Sequence, residues 1–184
     1  MDCLSAIKGR RSVRKYKPDP VPAETFQALM DSVRWAPSWA NTQCWEIIAV
    51  DDVRAKAELA LCLGGPNPAA SALAEAPLVL VLCGRKGVSG LRRGAPATDK
   101  GDWLMFDVGL AAQTLCLAAR DLGLGTVIVG LFDHRKVGET LGVPPEVEVV
   151  AMTPLGYPAE EEGAPRRKEV SDFVFFGRHP GKRP

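Results

Sequence analysis

Several features that would assign a cellular location are missing from this chain. Its 184 residues begin without an apolar signal segment, so we expect a protein that is not secreted. The longest apolar run, 104–119, contains Asp107 and Gln113 and is shorter than the ~20 residues that a membrane span requires. We therefore expect no membrane association and a cytoplasmic location.

Metal and nucleophile motifs are also absent. The five cysteines are widely spaced, form no Cys-x-x-Cys pair and have no histidine nearby in sequence, so we expect reduced thiols and no metal site. No P-loop, nucleophile elbow or metalloprotease signature is present, and we predict no catalytic side chain. Gly123, Gly125 and Gly130 follow a predicted helix and precede a strand, which is the reverse of a dinucleotide-binding fingerprint. His134 follows Phe132 and Asp133 at a predicted helix start, and we assign it a surface or capping role.

The net charge of the chain is small, but basic residues are concentrated in one place. The formal net charge is only +1, whereas nucleic-acid-binding domains are usually basic. Residues 8–17 nevertheless hold six basic residues and no acid. Ser12 lies among three arginines there, and this compact mixture of donors suits one phosphate better than a long strand. The cluster Arg166-Arg167-Lys168 could converge on the same phosphate. The alternatives are a solvated face and salt-sensitive nucleic-acid binding.

Hydrophobic patterning predicts one α+β domain over residues 1–184. The predicted helices are 3–9, 22–36, 53–63, 103–122 and 135–141, and the predicted strands are 44–50, 78–82, 126–129 and 147–152. Helix 103–122 is apolar nearly all round, which indicates that a dimer interface shares its burial. The tail 170–176 is apolar too and needs a surface to cover it.

The segment 35–45 is unusual because it places two amides, Asn41 and Gln43, and several hydroxyls beside three tryptophans. Such a loop can offer donors and acceptors to a planar heterocycle while an indole covers it. The alternative is a loop that buried tryptophans hold in place.

These segments also match, in order, the motifs of one family. Residues 10–14 match R-R-S-x-R, and residues 36–45 match A-P-S-x-x-N-x-Q-P-W. D-x-G-x-x-x-Q at 107–113, G-L-G-T at 123–126 and P-L-G-Y-P at 154–158 follow. From the first residues to about Val174, the chain resembles the nitroreductase family of flavin mononucleotide (FMN) enzymes.

The resemblance implies a mixed central sheet flanked by helices, in an intertwined homodimer with FMN at the interface and the C-terminal segment crossing to the partner. It implies four groups of cofactor-binding residues: Arg10, Arg11, Ser12 and Arg14 for the phosphate and ribityl chain; Arg167, with Arg166 or Lys168, for the phosphate; Pro37, Ser38, Trp39, Asn41 and Gln43 for the ring from the other subunit; and Val129 and Gly130 for the ring by their backbone.

The resemblance further implies electron transfer from NADH or NADPH, through FMN, to nitroaromatics, quinones or flavins in a ping-pong cycle. Two alternatives remain open: a same-fold FMN enzyme with other chemistry (reductive dehalogenation or flavin destruction), and a non-enzymatic FMN carrier or sensor.

The chain departs from the family pattern at several positions. Cys44 replaces a proline, and Trp39 replaces a small residue and would narrow the pocket above the ring. Where some members contact the ring with a mid-chain asparagine and lysine, this chain offers only Asn67. The glycine-rich and basic loop 84–101 could contact either the nucleotide or the acceptor.

Overall fold

The computed structural model describes all 184 residues of the chain. Its helices are α1 (Cys3–Gly9), α2 (Ala23–Val33), α3 (Val53–Leu61), α4 (Ala70–Glu75), α5 (Leu104–Asp121) and α6 (His134–Leu141). Its strands are β1 (Trp45–Val50), β2 (Leu78–Arg85), β3 (Leu91–Arg92), β4 (Ala95–Pro96), β5 (Gly125–Thr126) and β6 (Val147–Gly156). Short 3-10 helices cover Trp39–Asn41 and Val170–Asp172.

The main sheet has the strand order β1-β2-β6-β5, and side chains of its central strand β2 are buried on both faces. Because successive strand residues point to opposite faces, Val79 and Val81 enter one core while Leu80 and Leu82 enter the other. Helices α3, α4 and α6 contribute to the first core, and α2 and α5 contribute to the second. The expected α+β fold, a central sheet flanked by helices, is confirmed.

The sheet is mixed only through a short contact. All strand pairs within it are antiparallel, and the parallel contribution is the bridge between Ser12 and Thr126. This bridge joins the basic segment 10–14 to the sheet, so the one parallel pairing lies at a predicted cofactor-binding residue.

The predicted strand 126–129 is wrong in its extent. β5 ends at Thr126, and pairing resumes at Val129, which exchanges backbone hydrogen bonds with Met152 (2.8 and 3.0 Å). The same register would place Val127 opposite Pro154, which has no N–H to donate. The proline therefore interrupts the ladder, although Val127 and Val129 remain buried.

Other boundaries also differ from the predictions. β2 and β6 are longer than predicted, whereas α3 ends at Leu61. Helix α4 was not predicted, and loop 84–101 contains the small hairpin of β3 and β4. Asp133, not His134, caps α6 by accepting from the Lys136 amide, while the His134 ring lies 3.9 Å from that of Phe132.

Apolar side chains remain exposed on α5 and in the C-terminal tail. Met105 and Phe106 are 60% and 57% exposed, and Phe173 and Phe176 are 60% and 59% exposed. Helix α5 is thus covered on its sheet side and open along another face. None of the helices is both long and apolar enough to span a membrane.

Candidate functional site

The basic segment 10–14 is held in an extended conformation by its backbone. The Val13 amide donates to the Thr126 carbonyl (3.0 Å), and the Val13 side chain is buried. The Tyr16 hydroxyl lies within hydrogen-bond distance of the carbonyls of Val13 (2.8 Å) and Pro154 (3.3 Å). Burial raises the pKa of Tyr16, so this hydroxyl stays protonated and can donate. The Nη1 atom of Arg14 donates to the Ser12 carbonyl (3.1 Å), so part of the arginine side chains is already held by the backbone of the segment.

The glycines of the motif at 123–126 allow segment 10–14 to pack against β5. Gly123 has φ +76°, a left-handed conformation that suits glycine, directly after α5 ends. A Cβ at Gly125 would lie 2.8 Å from Val13 Cβ, so only glycine allows the basic segment to lie this close to β5. The motif therefore allows this packing.

The arginines converge on one cavity of about 320 Å³. It is lined by Arg10, Arg11, Ser12, Arg14, Glu162, Gly163, Pro165 and Arg167. The Nη1 atom of Arg11 donates to the carbonyls of Lys8 (2.7 Å) and Arg10 (2.9 Å), whereas its Nε is buried without a hydrogen-bond partner. A buried donor without a partner is costly, and the guanidinium groups that line the cavity suit an anion.

The second basic cluster divides between two surfaces. Arg167 reaches the arginine cavity, whereas Arg166 and Lys168 line, again with Arg167, a groove that contains Glu169 and Asp172. One of the two predicted C-terminal arginines is therefore placed at the cavity.

Acidic residues near the cavity were missed by sequence reasoning. Glu162 lines it, and the run Glu160-Glu161-Glu162 lines an adjoining depression together with Arg10 and Arg11. Glu160 pairs with Lys15 at 3.0 Å. These carboxylates offset part of the positive charge that the sequence concentrates in residues 8–17, and only the tertiary fold brings them there.

A smaller pocket of about 160 Å³ adjoins through Arg14, which lines both cavities. Asn67, Val129 and Gly130 line it as well. The Asn67 side chain donates to the Leu131 carbonyl (3.4 Å) and accepts from the Ala69 amide (2.9 Å). The structure thus places Asn67 beside Val129 and Gly130, the two residues predicted to face the ring. Both the nitrogen and the oxygen of the Asn67 side-chain amide are hydrogen-bonded to the backbone.

The loop with Pro37, Ser38, Trp39, Asn41 and Gln43 lines neither of these cavities. Pro37, Asn41 and Gln43 are exposed. The side-chain nitrogen Nε2 of Gln43 donates to the side-chain oxygen Oδ1 of Asn41 (3.2 Å). Within one chain, the two sets of predicted residues therefore occupy different surfaces.

The backbone of this loop is strained. Ala40, Asn41 and Gln43 have φ of 45°, 57° and 49°, in the left-handed region. Such residues cost on the order of 1 kcal/mol or more each, and they persist only where surrounding contacts determine them. The loop therefore needs a specific anchor.

That anchor is Asp107, a fully buried carboxylate in the first turn of α5. It accepts hydrogen bonds from the Trp39 amide (3.0 and 3.1 Å), the Thr42 hydroxyl (3.4 Å) and the Ser89 hydroxyl (2.6 Å). The flanking Trp35 is exposed, and Trp39 and Trp45 are only half-buried. Buried tryptophans therefore do not hold the loop, contrary to the alternative raised from the sequence.

An aromatic cluster extends from the loop towards the exposed face of α5. The Trp39 and Trp103 rings lie 5.1 Å apart, and the Trp103 and Phe106 rings lie 5.2 Å apart in an edge-to-face arrangement. Trp39 is thereby fixed at the rim of the surface that contains Phe106. That Trp39 narrows a pocket above the ring stays a prediction.

Cys44 lies directly behind this loop and is buried. Burial, reinforced by the Asp107 carboxylate, raises the pKa of the Cys44 thiol to about 11. The thiol is therefore protonated at neutral pH and is not an activated nucleophile.

A larger cavity, of about 590 Å³, lies elsewhere, between α6 and β6. It contains none of the predicted cofactor-binding residues, and two of its charged side chains, Arg135 and Glu139, pair with each other (3.9 Å). The arginine cavity, with its converging cations and its unpartnered donor, is the better candidate site despite its smaller size.

The sequence profile of the nitroreductase family matches residues 7–157. The chain is 31% identical to a protein of Thermus thermophilus named NADH dehydrogenase, and the match covers 96% of each chain. It is 33% identical to a 5,6-dimethylbenzimidazole synthase of Rhodospirillum rubrum, over 97% of this chain and 92% of that protein.

Solved structures agree with the fold. An FMN-dependent nitroreductase of Clostridium difficile superposes with a TM-score of 0.78 at 28% identity, over 95% of this chain and 98% of that one. Oxidized iodotyrosine deiodinase bound to FMN and 3-iodo-L-tyrosine superposes with a TM-score of 0.79 at 24% identity, a likeness that concerns the fold alone.

Proposed function

Because the chain belongs to the nitroreductase family, we propose that it is an FMN-dependent oxidoreductase that passes electrons from NADH or NADPH to small acceptors by a ping-pong mechanism. Nitroaromatics, quinones and flavins are the proposed acceptors. The names of its relatives include oxidoreductases that use these nucleotides, such as an FMN reductase [NAD(P)H] of Bacillus subtilis, 27% identical over 86% of this chain.

The observation that carries the proposal is the convergence of Arg10, Arg11, Ser12, Arg14 and Arg167 on one cavity, with the buried Arg11 Nε left unpartnered. This donor set fits the phosphate of FMN, because guanidinium groups bind phosphate oxygens by charge-assisted hydrogen bonds. Arg14 also lines the pocket of Asn67, Val129 and Gly130, so a ligand with its phosphate in the first cavity can extend into the second. The residues present therefore fit the cofactor.

When bound, FMN supplies the redox chemistry, and the protein supplies binding, orientation and the exclusion of water. The arginines neutralise the phosphate and fix its position. In the smaller pocket, Gly130 would present its backbone to the ring, whereas the Val129 amide and carbonyl are already paired with Met152 (2.8 and 3.0 Å). Asn67, whose side-chain amide is hydrogen-bonded to the backbone, narrows one side of this pocket. No side chain is assigned as an acid or a base.

We further propose that the site is completed in a homodimer. Pro37, Ser38, Trp39, Asn41 and Gln43 would reach the ring from the partner subunit, since they line no cavity with the arginines of their own chain. The motif at 107–113 supports this division: Asp107 points inward, whereas Gly109 and Gln113 lie on the exposed face of α5 beside Phe106. The exposed phenylalanines of the tail would be covered by crossing to the partner.

The function is tested by purifying the protein, recording its visible spectrum and titrating the apoprotein with FMN. We expect an oxidised-flavin spectrum, and steady oxidation of NADH or NADPH in the presence of nitro compounds or quinones. A colourless protein that binds no added FMN would contradict the proposal. A protein that binds FMN but oxidises neither nucleotide with any acceptor would instead be a carrier or a sensor.

The two-subunit site is tested by complementation. An Arg10→Ala/Arg14→Ala chain is mixed and refolded with a chain that carries Ser38→Ala and Asn41→Ala. If each site takes arginines from one chain and the loop from the other, each mixed dimer regains one intact site and half of its FMN sites bind normally. Sites built from single chains would all stay damaged, and no recovery would be seen.

A second candidate, a same-fold FMN enzyme with other chemistry, is favoured by the 33% identity to a 5,6-dimethylbenzimidazole synthase. An enzyme of this kind would use the same arginine cavity, so the cavity does not distinguish between the two proposed functions. Comparing turnover of nitro compounds with turnover of halogenated phenols, and following whether FMN itself is consumed, separates them. A cytoplasmic location remains a prediction, based on the five unpaired cysteines.

A further inference from the structure

Asp107 is unusual because its buried carboxylate faces only neutral donors. Its partners are the Trp39 amide, the hydroxyls of Thr42 and Ser89, and more weakly the Cys44 thiol at 3.8 Å. No lysine or arginine pairs with it. A buried carboxylate without a cation is costly unless several donors satisfy it, and here the positive end of the α5 dipole adds to them.

These donors come from two segments that are distant in sequence. Trp39, Thr42 and Cys44 belong to the strained loop, which we name the ring loop (residues 38–44). Ser89 is fully buried and belongs to loop 84–101, and its carbonyl accepts from the Trp103 amide (3.3 Å). Both segments therefore meet at one side chain on α5.

The ring loop has little else to maintain its shape. Its other internal contacts are short-range: the Gln43 amide donates to the Ser38 hydroxyl (2.9 Å), and the Asn41 and Thr42 amides donate to the carbonyls of Ser38 (3.1 Å) and Trp39 (2.9 Å). These bonds close the turn on itself. The Arg85 amide donates to the Cys44 carbonyl (2.8 Å) and so joins the end of the loop to β2, but no such bond fixes its strained residues 40–43 to the body of the protein. Asp107 does that through the Trp39 amide, at the residue where the aromatic cluster begins.

We propose that Asp107 is a positioning residue that holds the ring loop in its strained conformation and couples it, through Ser89, to loop 84–101. The proposal rests on the proposed function in one respect: the ring loop is taken to serve FMN bound mainly by the partner subunit. Its consequence is that the ring contacts and the loop predicted to meet nucleotide or acceptor share one anchor, so disturbing either loop disturbs the other.

The test is Asp107→Asn, which keeps the size of the side chain but replaces one acceptor oxygen with a donor. Hydrogen exchange is measured by mass spectrometry on the apoprotein, and FMN affinity is measured by titration. We expect faster exchange in peptides that cover 38–44 and 87–90, and roughly tenfold weaker FMN binding, as the loss of one good hydrogen bond would give.

The control is Asp133→Ala, which removes the N-cap of α6 at a cost of about 0.5–2 kcal/mol. Asp133 accepts from the Lys136 amide (3.0 Å) at the start of α6, away from the arginine cavity and the ring loop. It should lower the thermal midpoint in the same way but leave exchange in 38–44 and FMN affinity unchanged. This control separates positioning from a general loss of stability.

Ser89→Ala keeps the carboxylate and removes its shortest hydrogen bond, so it tests the coupling even if Asp107→Asn folds poorly. Faster exchange in 38–44, a segment that Ser89 does not itself contain, supports the proposal. Wild-type exchange there in both variants overturns it. If the wild-type protein binds no FMN, the proposed function fails, while the exchange measurements on the apoprotein still decide the role of Asp107.

Discussion

Segment 10–14 and the ring loop contribute to the same proposed site but are held in opposite ways. The first is extended and is joined to the sheet through its backbone, with the Val13 amide 3.0 Å from the Thr126 carbonyl. The second has three residues with positive φ and depends on the side chain of Asp107. The first is paired with β5 at its middle, whereas the second meets the sheet only at its last residue, where the Arg85 amide donates to the Cys44 carbonyl (2.8 Å).

The difference shows where each region is vulnerable. In segment 10–14, ligand-binding side chains can change without disturbing the backbone, because the sheet holds it. In the ring loop, conformation and ligand contact both depend on one carboxylate. We therefore expect substitutions in the first region to act on affinity alone, and substitutions around the second to act on conformation first.

The largest expected effect is that of Arg10→Ala/Arg14→Ala. Hydrogen bonds to charged groups contribute about 1.5–3 kcal/mol each, so losing two should weaken FMN binding by ~100-fold or more. The free energy of unfolding of the apoprotein should hardly change. Titration with FMN and denaturant unfolding check both. Lys15→Ala is the control, since Lys15 pairs with Glu160 (3.0 Å) outside the cavity and should leave affinity intact. Wild-type affinity in the double variant would contradict our assignment of segment 10–14.

Gly125→Ala should have the next largest effect because it disturbs the backbone attachment itself. The added methyl would lie 2.8 Å from Val13 Cβ and would force the segment away from β5. Overpacking of this kind costs about 1–3 kcal/mol, and we expect FMN affinity to fall as Ser12 moves.

Gly138→Ala is the matched control for this change. The nearest side-chain atoms lie 3.8 Å from its Cβ, and alanine should stabilise α6 by about 0.5–1 kcal/mol. Denaturant unfolding compares the two variants. Equal stability of Gly125→Ala and the wild type would show that Val13 can repack freely.

The smallest effect concerns alkaline pH and the ring loop. The pKa of Cys44 is 9.0 ordinarily and about 11 in the folded protein, so the unfolded chain loses this proton first as pH rises. Its contribution to stability is therefore complete below pH 9.0 and is lost between pH 9.0 and about 11. Cys44→Ala should show a smaller decline in thermal midpoint over that range than the wild type. Cys83, whose pKa burial also raises to about 11, affects both proteins equally. Identical pH profiles of the two proteins would contradict the raised pKa of Cys44.

Much of the fold could be predicted from local pattern. The short apolar run of residues 78–82 and the apolar helix before Gly123 both predicted real elements, because their burial is encoded residue by residue. The end of β5 was missed because it depends on Pro154, which lies opposite it only after folding. Helix α4 was missed because its N-terminus has no side-chain cap.

The residues of the candidate site also divide into those that the sequence predicts and those whose role only the fold reveals. Arg10, Arg11, Ser12 and Arg14 were found from sequence because adjacent residues already display the donor pattern. Asp107 was recognised as part of a motif, but its role was not, since its partners lie 18 to 68 positions away. Asn67 was assigned to the smaller pocket only from the structure, where its side chain is hydrogen-bonded to Leu131 and Ala69.

The sequence by itself determined the donor types, the order of the motifs and the family, because these depend on residue identity and spacing. Only the tertiary structure decided which charges meet: it brought Arg167 to the cavity, left Arg166 and Lys168 on a neighbouring groove, and set Glu162 among the arginines. The physical reason is that electrostatic and hydrogen-bonding contacts act over a few ångströms in space, and the path of the chain between distant segments is settled by the packing of the sheet and its two cores.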